Sequence, residues 1–455
     1  MELENQKCEE KKGRQWIYPK LIKGKLYLYR NLFGWALLAL LFAGPFIRMN
    51  DEQLILFNIL ERKFVFFGVI FWPQDFYLFV LAMLIFLIFI VLFTSVFGRI
   101  WCGWACPQTI FMELVFRKIE YWIEGDANKQ RKLDNSPISA EKVIKKGFKH
   151  LIFLMISFLI ANTFLAYVIS TEELFKIINE PVGQHLTGFI AIILFTLSFY
   201  GVFAFLREIV CTVICPYGRL QGVLLDNQSM IVGYDYQRGE PRGKMKRGEV
   251  NLHGDCVDCN LCVDVCPTGI DIRQGTQLEC INCTACIDAC DMVMEKTHRP
   301  LRLIGFKSEE EITAGKPFKF SKRLYAYTAI LVMMTTVFTI LLLSRSDVET
   351  TLLRAAGTLY QLKDDGTVSN LYNAEIMNKT NHSIQPNIQP VDPLIKIEYI
   401  QKIGLLEKGG STKLTFFIRR PQKGIEKYKS EIRLNVLSGN VVLEKLKTTF
   451  IAPPN

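Results

Sequence analysis

The sequence predicts a multi-domain membrane protein with a transmembrane α-helical bundle of about five spans, an inserted α+β domain and a C-terminal all-β domain. Three observations lead to this fold class. Apolar residues are concentrated in long blocks, most of the 13 cysteines fall into four groups, and residues 344–455 alternate short β-rich runs with turn residues. The blocks predict the bundle, the cysteines the α+β domain, and the alternating runs the β domain.

Composition excludes several classes of protein. The chain has 455 residues, of which 50% are hydrophobic and 12% aromatic, with a formal net charge of +10. An intrinsically disordered chain would be poor in aromatic residues, and 13 cysteines in this length are too few for a small disulfide scaffold. The positive charge requires no nucleic acid, because membrane proteins retain Lys and Arg in their inner loops, where they meet anionic lipid headgroups.

Five apolar blocks are long enough to cross a bilayer, which takes roughly 20 residues. They are residues 32–47, 76–97, 151–169, 186–206 and 325–343. A sixth stretch, 54–72, is interrupted by Glu61, Arg62 and Lys63. Because three charges at mid-membrane would be costly, we expect this stretch to be interfacial or re-entrant.

Charge distribution orients these spans. The segment before the first span and the loops 98–150 and 207–323 are rich in Lys and Arg, whereas the two loops of opposite sidedness carry few. The positive-inside rule therefore places the N-terminus and the cysteine groups in the cytoplasm and the C-terminal region outside it. The predicted parts are an N-terminal tail 1–31, a four-span membrane domain 32–236, a cysteine-rich domain with its linkers 237–324, a fifth helix 325–343 and the β domain 344–455.

Eight cysteines form a tandem repeat with a specific spacing. Cys256, Cys259, Cys262 and Cys266 follow C-x2-C-x2-C-x3-C, and the spacing recurs at Cys280, Cys283, Cys286 and Cys290. This is the bacterial two-cluster ferredoxin pattern, in which three thiolates wrap one iron–sulfur cube and the fourth reaches the other. Zinc also binds paired C-x2-C units, but the doubled four-cysteine spacing favours [4Fe–4S] clusters. The resemblance to these ferredoxins implies that Cys290 completes the first cluster and Cys266 the second.

Four further cysteines form two C-x3-C-P motifs. Cys102 and Cys106 follow the second span, and Cys211 and Cys215 follow the fourth, each pair preceding a proline. A C-x3-C spacing places both sulfurs on one face of a helix, and pairing the repeats would bring four sulfurs together at the membrane surface. Soft thiolates suit Cu(I), zinc or iron–sulfur centres. The alternative is four buried structural thiols, and we favour a copper or further redox site. Cys8 stands alone in the polar tail.

The last region predicts a β-sandwich of immunoglobulin-like size without its disulfide. Its candidate strands are residues 371–377, 394–400, 413–419, 431–437 and 440–449, with hairpin turns at 364–366 and 438–440. The segment 237–249, which is rich in Gly, Lys and Arg, predicts an exposed linker before the tandem repeat.

The order of these motifs resembles the FixG/RdxA/CcoG family of accessory proteins for cbb3-type cytochrome c oxidase. The resemblance rests on the paired C-x3-C-P motifs, the tandem cysteine repeat between spans four and five, and the β-rich tail. It implies a multi-pass protein of the bacterial cytoplasmic membrane that carries two [4Fe–4S] clusters. It also implies a role in oxidase maturation by reduction of Cu(II) to Cu(I), with oxidase assembly factors or a copper transporter or chaperone as partners.

Two other functions remain open from the sequence. The chain also resembles quinol-linked membrane ferredoxins that pass electrons to a respiratory reductase, and it could be an assembly scaffold with structural clusters. No Met-rich or His-rich copper tract is present, and the absence of C-x-x-C-H excludes an attached c-type haem. The sequence identifies neither the electron donor nor a catalytic residue.

Overall fold

The chain forms two compact units. One comprises Met1–Ile47 and Ala82–Met334, and the other Arg48–Leu81 and Thr335–Asn455. We call them the cysteine unit and the β unit. The computed structural model describes residues 16–50, 52–59, 63–72, 75–244, 253–315, 321–355, 357, 359–363, 366–380, 382–401, 404–422, 425, 427–439 and 441–453. Cys8 therefore lies outside the described residues.

Helices dominate the cysteine unit. In chain order, the α-helices within the described residues are α1 Lys25–Ala43, α2 Phe76–Phe97, α3 Ile100–Trp104, α4 Pro107–Ile110, α5 Arg117–Ile123, α6 Ala127–Asn135, α7 Ala140–Ile169, α8 Thr171–Asn179, α9 Leu186–Gly201, α10 Pro216–Leu224, α11 Tyr236–Gly239, α12 Leu261–Asp264, α13 Ala285–Lys296, α14 Glu309–Ala314 and α15 Lys322–Leu343. Three π-helical segments accompany them, at Phe111–Phe116, Val202–Leu206 and Val210–Ile214.

Five of these helices are long and apolar enough to span a bilayer, which confirms the predicted fold class. They are α1, α2, α7, α9 and α15. Two of them begin earlier than their apolar blocks because polar groups cap them. The Asp288 carboxylate accepts the N–H groups of Leu26 and Tyr27 at the start of α1, and the Ser139 hydroxyl accepts the N–H of Lys142 at the start of α7. Apolar patterning alone gives no signal of these caps.

The region between α1 and α2 is a small β-structure. Its strands are β1 Arg48–Met49, β2 Glu52–Gln53, β3 Ile55–Asn58, β4 Lys63–Phe66 and β5 Val69–Phe71. Strands β3, β4 and β5 form an antiparallel sheet that buries Leu56, Val65 and Ile70 on one face. The apolar stretch at 54–72 is thus an alternating sheet and not a helix, and it belongs to the β unit. Its location at the membrane interface stays a prediction.

The ferredoxin part is integrated into the cysteine unit. Strands β6 Ile231–Tyr234 and β7 Ile304–Lys307 pair antiparallel and bring together the two ends of this part. The expectation of an exposed tether is only partly tested, because residues 245–249 lie outside the described residues. Beyond the α1 cap at Asp288, the Lys20 ammonium pairs with Asp264 at 2.7 Å. These contacts hold the ferredoxin part on the helices.

The C-terminal domain is a two-sheet β-sandwich, as predicted. Its strands are β8 Val348–Arg354, β9 Gln361–Leu362, β10 Thr367–Asn378, β11 Pro386–Pro390, β12 Lys396–Tyr399, β13 Ser411–Pro421, β14 Lys429–Ser438 and β15 Val441–Ile451. One sheet has the order β12-β13-β10-β8, with β9 also paired to β10, and the other has the order β11-β14-β15. Tyr372, Phe416 and Phe450 fill the core between the sheets. Asp364, Asp365 and Asn440 of the two predicted turns lie outside the described residues.

The β unit contains a buried network of ion pairs. Asp75, which is 3% exposed, forms ion pairs with Arg345 at 2.7 Å and with Lys379 at 2.6 Å. Lys379 also pairs with Glu349 at 2.5 Å. The two cations therefore face two carboxylates, and the network ties the start of α2 to the β-sandwich.

Candidate metal and redox centres

The first ferredoxin loop places its predicted ligands around one cavity. Cys256, Cys259, Cys262 and Cys290 all line it, together with Tyr234. The first three come from the loop before and within α12, and Cys290 comes from α13. The fold thus brings the fourth cysteine of the second repeat to the first loop, as two-cluster ferredoxins require.

A second cavity gathers the other set. It is lined by Cys266, Cys280, Cys283 and Cys286, and Cys262 also reaches it. Cys266, the last cysteine of the first repeat, is therefore beside the second loop. Because Cys262 lines both cavities, the two centres are neighbours, and an electron can pass between clusters held there.

Both loops have the same unusual backbone. Asp258 and Asn260 flank Cys259 with positive φ values of 50° and 57°, and Asn282 and Thr284 flank Cys283 with 53° and 67°. Asn and Asp tolerate the left-handed region, whereas a β-branched Thr there is strained. The sequence repeat is therefore also a repeat of backbone conformation, and each loop curls around the space for a cluster.

Burial raises the pKa of thiols in both cavities, and nearby arginines oppose the rise. Burial raises the pKa of Cys280 to about 12, and the Asn282 backbone N–H and the Arg99 guanidinium oppose that rise. Burial also raises the pKa of Cys283 to about 11, against which Arg30 acts. Two arginines from the membrane-helix region therefore favour the thiolate forms that a cluster requires.

The C-x3-C-P motifs break their helices. Cys102 lies in α3, whereas Cys106 is the N-cap of α4; Cys211 lies in the π-helical segment Val210–Ile214, whereas Cys215 is the N-cap of α10. The prediction that each pair shares one regular helical face is therefore wrong. The reason is the proline, which starts a new helix at its first position and forces the preceding cysteine into an extended conformation.

The structure nevertheless brings the two pairs together. Burial, followed by the neighbouring Cys106 thiol, raises the pKa of Cys102 to about 12, and Cys211 and Cys215 contribute. Burial likewise raises the pKa of Cys211 to about 12, with contributions from Cys106 and Cys215. The Cys102 Sγ also donates to Gln221 at 3.2 Å, in the helix α10 that Cys215 caps, so the four thiols form one group. Binding a metal there must release protons.

Strain is concentrated around this group. The π-helical segments Phe111–Phe116, Val202–Leu206 and Val210–Ile214 all adjoin the C-x3-C-P motifs. Between the last two, Arg207 has φ 51° and ψ −122° and is held by both oxygens of Glu120 at 3.1 and 2.9 Å. π-helical turns and strained residues cluster at functional sites, so the local backbone favours a functional over a structural role.

The C-x3-C-P group lies directly against the second ferredoxin loop. A Cβ atom on Gly103 would be 2.4 Å from the Ile281 oxygen and 2.9 Å from both the Asn282 oxygen and the Cys283 nitrogen. Only glycine permits this approach of two backbones. The Arg30 Nε donates to the Gly103 oxygen at 2.8 Å. The thiol group and the second cluster cavity are thus in backbone contact.

The donor set at the thiol group suits an anionic, sulfur-rich centre. Within the described part of the chain, no group of three or more His, Cys, Asp or Glu side chains is arranged to hold a single metal ion. Buried donors of Thr109, Trp104 and Gln221 have no hydrogen-bond partner among the described residues. Metal-bound thiolates can accept such hydrogen bonds. The four soft thiols and these unpartnered donors therefore suit a thiolate-bound metal or iron–sulfur centre.

Several residues here are not evident from cysteine spacing. Arg99, Arg30, Gln221 and Thr109 contact the thiols or the cluster loop, but none belongs to a cysteine motif. One signal was available. Arg99 and Arg207 each lie at the exit of a span, within about one helical turn of the first cysteine of a C-x3-C-P motif.

Family models match three parts of the chain. Residues 206–309 match a 4Fe-4S dicluster domain, residues 79–129 a 4Fe-4S binding domain, and residues 338–453 the IG-like fold at the C-terminus of FixG. The second match contains Cys102 and Cys106, and the first contains Cys211 and Cys215 as well as the tandem repeat. All four cysteines of the thiol group thus lie in stretches similar to iron–sulfur domains.

Similar proteins cover most of the chain. Protein RdxA of Cereibacter sphaeroides is 37% identical over 382 residues, 80% of this chain and 79% of that protein. Protein RdxB of the same organism is 34% identical over 80% of both chains. Nitrogen fixation protein FixG of Rhizobium meliloti is 36% identical over 66% of this chain and 59% of that protein. The solved FixG-related protein of Vibrio parahaemolyticus covers 24% of this chain with a TM-score of 0.20, which is too low to support an argument.

Apolar helices that carry a dicluster ferredoxin part define a membrane iron–sulfur electron-transfer protein. Because its relatives share 34–37% identity over 66–80% of its length, the chain belongs to the FixG/RdxA family.

Proposed function

We propose that this protein passes electrons through two [4Fe–4S] clusters to the C-x3-C-P thiol group, where Cu(II) is reduced to Cu(I) for maturation of a cbb3-type cytochrome c oxidase. The observation that carries the proposal is the contact of Gly103 with residues 281–283. It joins the thiol group to the second cluster loop without an intervening side chain. The assignment of the oxidase and of copper in this proposal comes from the family resemblance.

The ligand sets follow the two cavities. Cys256, Cys259, Cys262 and Cys290 would hold the first cluster, and Cys266, Cys280, Cys283 and Cys286 the second. When bound, such clusters accept and release one electron at a time. Cys259 is the exposed cysteine among those described, so the first cluster is the natural point of electron entry.

The thiol group provides the exit. Cys102, Cys106, Cys211 and Cys215 are soft ligands, which stabilise Cu(I) relative to Cu(II) and so raise the potential of the bound ion. One electron converts one Cu(II) to one Cu(I). The Thr109 side chain lies beside Cys106 and Cys211, where it favours their thiolate forms during this step.

The proposed orientation places both clusters in the cytoplasm and the β-sandwich outside it. The excess of Lys and Arg in the N-terminal segment and the cysteine-bearing loops supports this orientation. A reporter active only outside the cytoplasm should be active when fused after Leu343 and inactive when fused near Gly254. The reverse pattern would place the clusters on an oxidising face and overturn the proposal.

Partners are proposed by chemistry and resemblance. An electron donor must reach the first cluster, and a copper transporter, copper chaperone or oxidase assembly factor must exchange copper. The membrane itself contacts the apolar helices. No nucleic acid is required.

The test is a copper-reduction assay on anaerobically purified protein. Two complete ligand sets predict about eight iron and eight sulfide in the ferredoxin part of each chain. The double variants C102S/C106S and C211S/C215S should abolish Cu(II) reduction while EPR signals of both ferredoxin clusters remain. Cys8→Ser, which changes a cysteine outside all four groups, is the matched control and should be active.

Three results would contradict this function. Normal Cu(II) reduction by both double variants would make the C-x3-C-P cysteines structural. Zinc without iron in the purified protein would remove the electron carriers. Fast cluster reduction by a quinol with no copper reduction would favour the quinol-linked alternative.

A further inference from the structure

Arg99 lies between the two redox regions. It is 5% exposed, and its guanidinium makes three hydrogen bonds. The Nε donates to the Gln221 Oε1 at 2.9 Å, one Nη donates to the Cys280 oxygen at 3.3 Å, and the other donates to the Gly218 oxygen. Gly218 lies in α10, just after the second C-x3-C-P motif, and Cys280 is in the second cluster loop.

Gln221 extends this connection to a thiol. It is fully buried, and its Oε1 also accepts the Cys102 Sγ at 3.2 Å. With the Cys102 thiol protonated, one continuous chain of hydrogen bonds thus runs from Cys102 through Gln221 and Arg99 to the backbone of Cys280.

Arg99 also carries a charge that the described protein does not neutralise. All three of its acceptors are neutral oxygens, and no ion pair among the described residues includes it. Arg30, 9% exposed beside the same loop, likewise donates to a neutral oxygen of Gly103. Burying an unpaired guanidinium is costly, and arginine stays protonated in proteins.

Other buried cations of the described chain have carboxylate partners. Arg117 pairs with Glu113, Arg207 with Glu120, and Lys149 with Glu120 and Glu124. Lys379 and Arg345 pair with Asp75. Arg99 and Arg30 lack, among the described residues, the carboxylate partner that these cations have, and thiolate-bound metal centres, which are anionic, would supply the missing counter-charge.

We propose that Arg99, oriented by Gln221, is a positioning residue that stabilises the transferred electron at both the second cluster and the C-x3-C-P thiolates. An arriving electron adds negative charge next to a fixed positive charge, so both centres become easier to reduce. Three hydrogen bonds hold the guanidinium in place, so little reorganisation accompanies transfer. The rate measurement below rests on the proposed function, because it requires copper reduction. The measurement of reduction potentials requires only that the two clusters are bound.

The test compares reduction potentials by EPR-monitored titration of full-length protein in detergent. Arg99→Gln should shift the potential of one ferredoxin cluster, that of the Cys280 loop, to a more negative value. Arg99→Lys retains the charge and should keep the potential close to the wild-type value, although it lacks the planar fork. Gln221→Glu supplies a carboxylate to Arg99 and should also lower the potential.

Lys307→Gln is the matched control, because Lys307 in β7 is already paired with Asp235 at 2.6 Å. It should leave both potentials nearly unchanged. Cluster reoxidation by Cu(II) should slow by about 10- to 100-fold in Arg99→Gln, because the loss of positive charge at the accepting thiolates and of the held guanidinium outweighs the stronger reducing power of the altered cluster.

Unchanged potentials in Arg99→Gln, with both clusters assembled, would overturn the proposal. If that variant fails to assemble its clusters, Gln221→Glu decides: an unshifted potential there overturns the proposal, and a lowered one supports it. If wild-type protein does not reduce copper, the proposed function fails, but the potential shift still decides the role of Arg99.

Discussion

The Asp75 network of the β unit and the cysteine-rich part of the cysteine unit treat buried charge differently. In the β unit, Asp75 is closely paired with Arg345 and Lys379, and the network is neutralised within the protein. In the cysteine unit, Arg99 and Arg30 are buried against neutral oxygens of the Cys280 loop and the first C-x3-C-P motif. Paired charges identify a structural network, whereas unpaired cations beside thiols identify a place where an anionic centre completes the electrostatics.

The largest effect should come from replacing the fourth cysteine of each repeat, which is a ligand of the other repeat's cluster. Cys290→Ser removes a ligand of the first cluster and Cys266→Ser a ligand of the second, so each should lower ferredoxin iron from about eight to about four per chain. Iron analysis and EPR measure this loss. The two variants should lose different EPR signals. Loss of the same signal in both would contradict the exchange of the fourth ligand between the repeats.

Breaking the paired network should cost stability and leave the redox centres intact. Asp75→Ala leaves Arg345 and Lys379 buried without their shared carboxylate partner. We expect the free energy of unfolding of the β unit to fall by about 3–5 kcal/mol. Denaturation of detergent-purified protein measures the change, with iron content as a second readout. Glu431→Ala is the control, because Glu431 is 59% exposed and its contacts with Arg433 and Lys447 are 3.8 and 3.9 Å. It should change stability by less than about 0.5 kcal/mol. Equal losses of stability in the two variants would show that the buried network contributes no more to stability than an exposed ion pair.

Adding one methyl group should test the contact between the thiol group and the cluster loop. Gly103→Ala places a Cβ within 3.0 Å of three backbone atoms, and we expect destabilisation by about 1–3 kcal/mol. Gly147→Ala in α7 meets nothing within 4 Å and should be neutral or stabilising by up to about 1 kcal/mol. Thermal loss of cluster absorbance is the measurement. A Gly103→Ala protein as stable as Gly147→Ala would mean that this contact is loose.

Cysteine spacing and apolar blocks predicted much of this fold. The five spans, the ferredoxin repeat and the strands at 371–377, 413–419 and 431–437 were read from local patterns because each local pattern has one dominant structural solution. The sheet at 55–71 was missed because aromatic and aliphatic residues on both faces hide the period of two.

The candidate site was only partly predictable. The cysteines were identified individually, but the helix break at Cys106 and Cys215 depended on proline, and the spacing argument ignored it. The approach of Gly103 to the cluster loop and the position of Arg99 between two regions are tertiary features. They join residues about 180 positions apart in the sequence, and a local sequence pattern gives no information about contacts over that separation.

The most direct test of the central claim is a single-turnover experiment. Protein with both ferredoxin clusters reduced is separated from reductant and mixed anaerobically with excess Cu(II), while cluster absorbance and Cu(I) are followed together. We predict about two Cu(I) per chain, one from each cluster, formed as fast as the clusters are reoxidised. In C102S/C106S the clusters should be reduced normally but should stay reduced on this timescale. Equal reoxidation rates in the variant and the wild type would show that electrons leave the clusters without passing through the C-x3-C-P thiols.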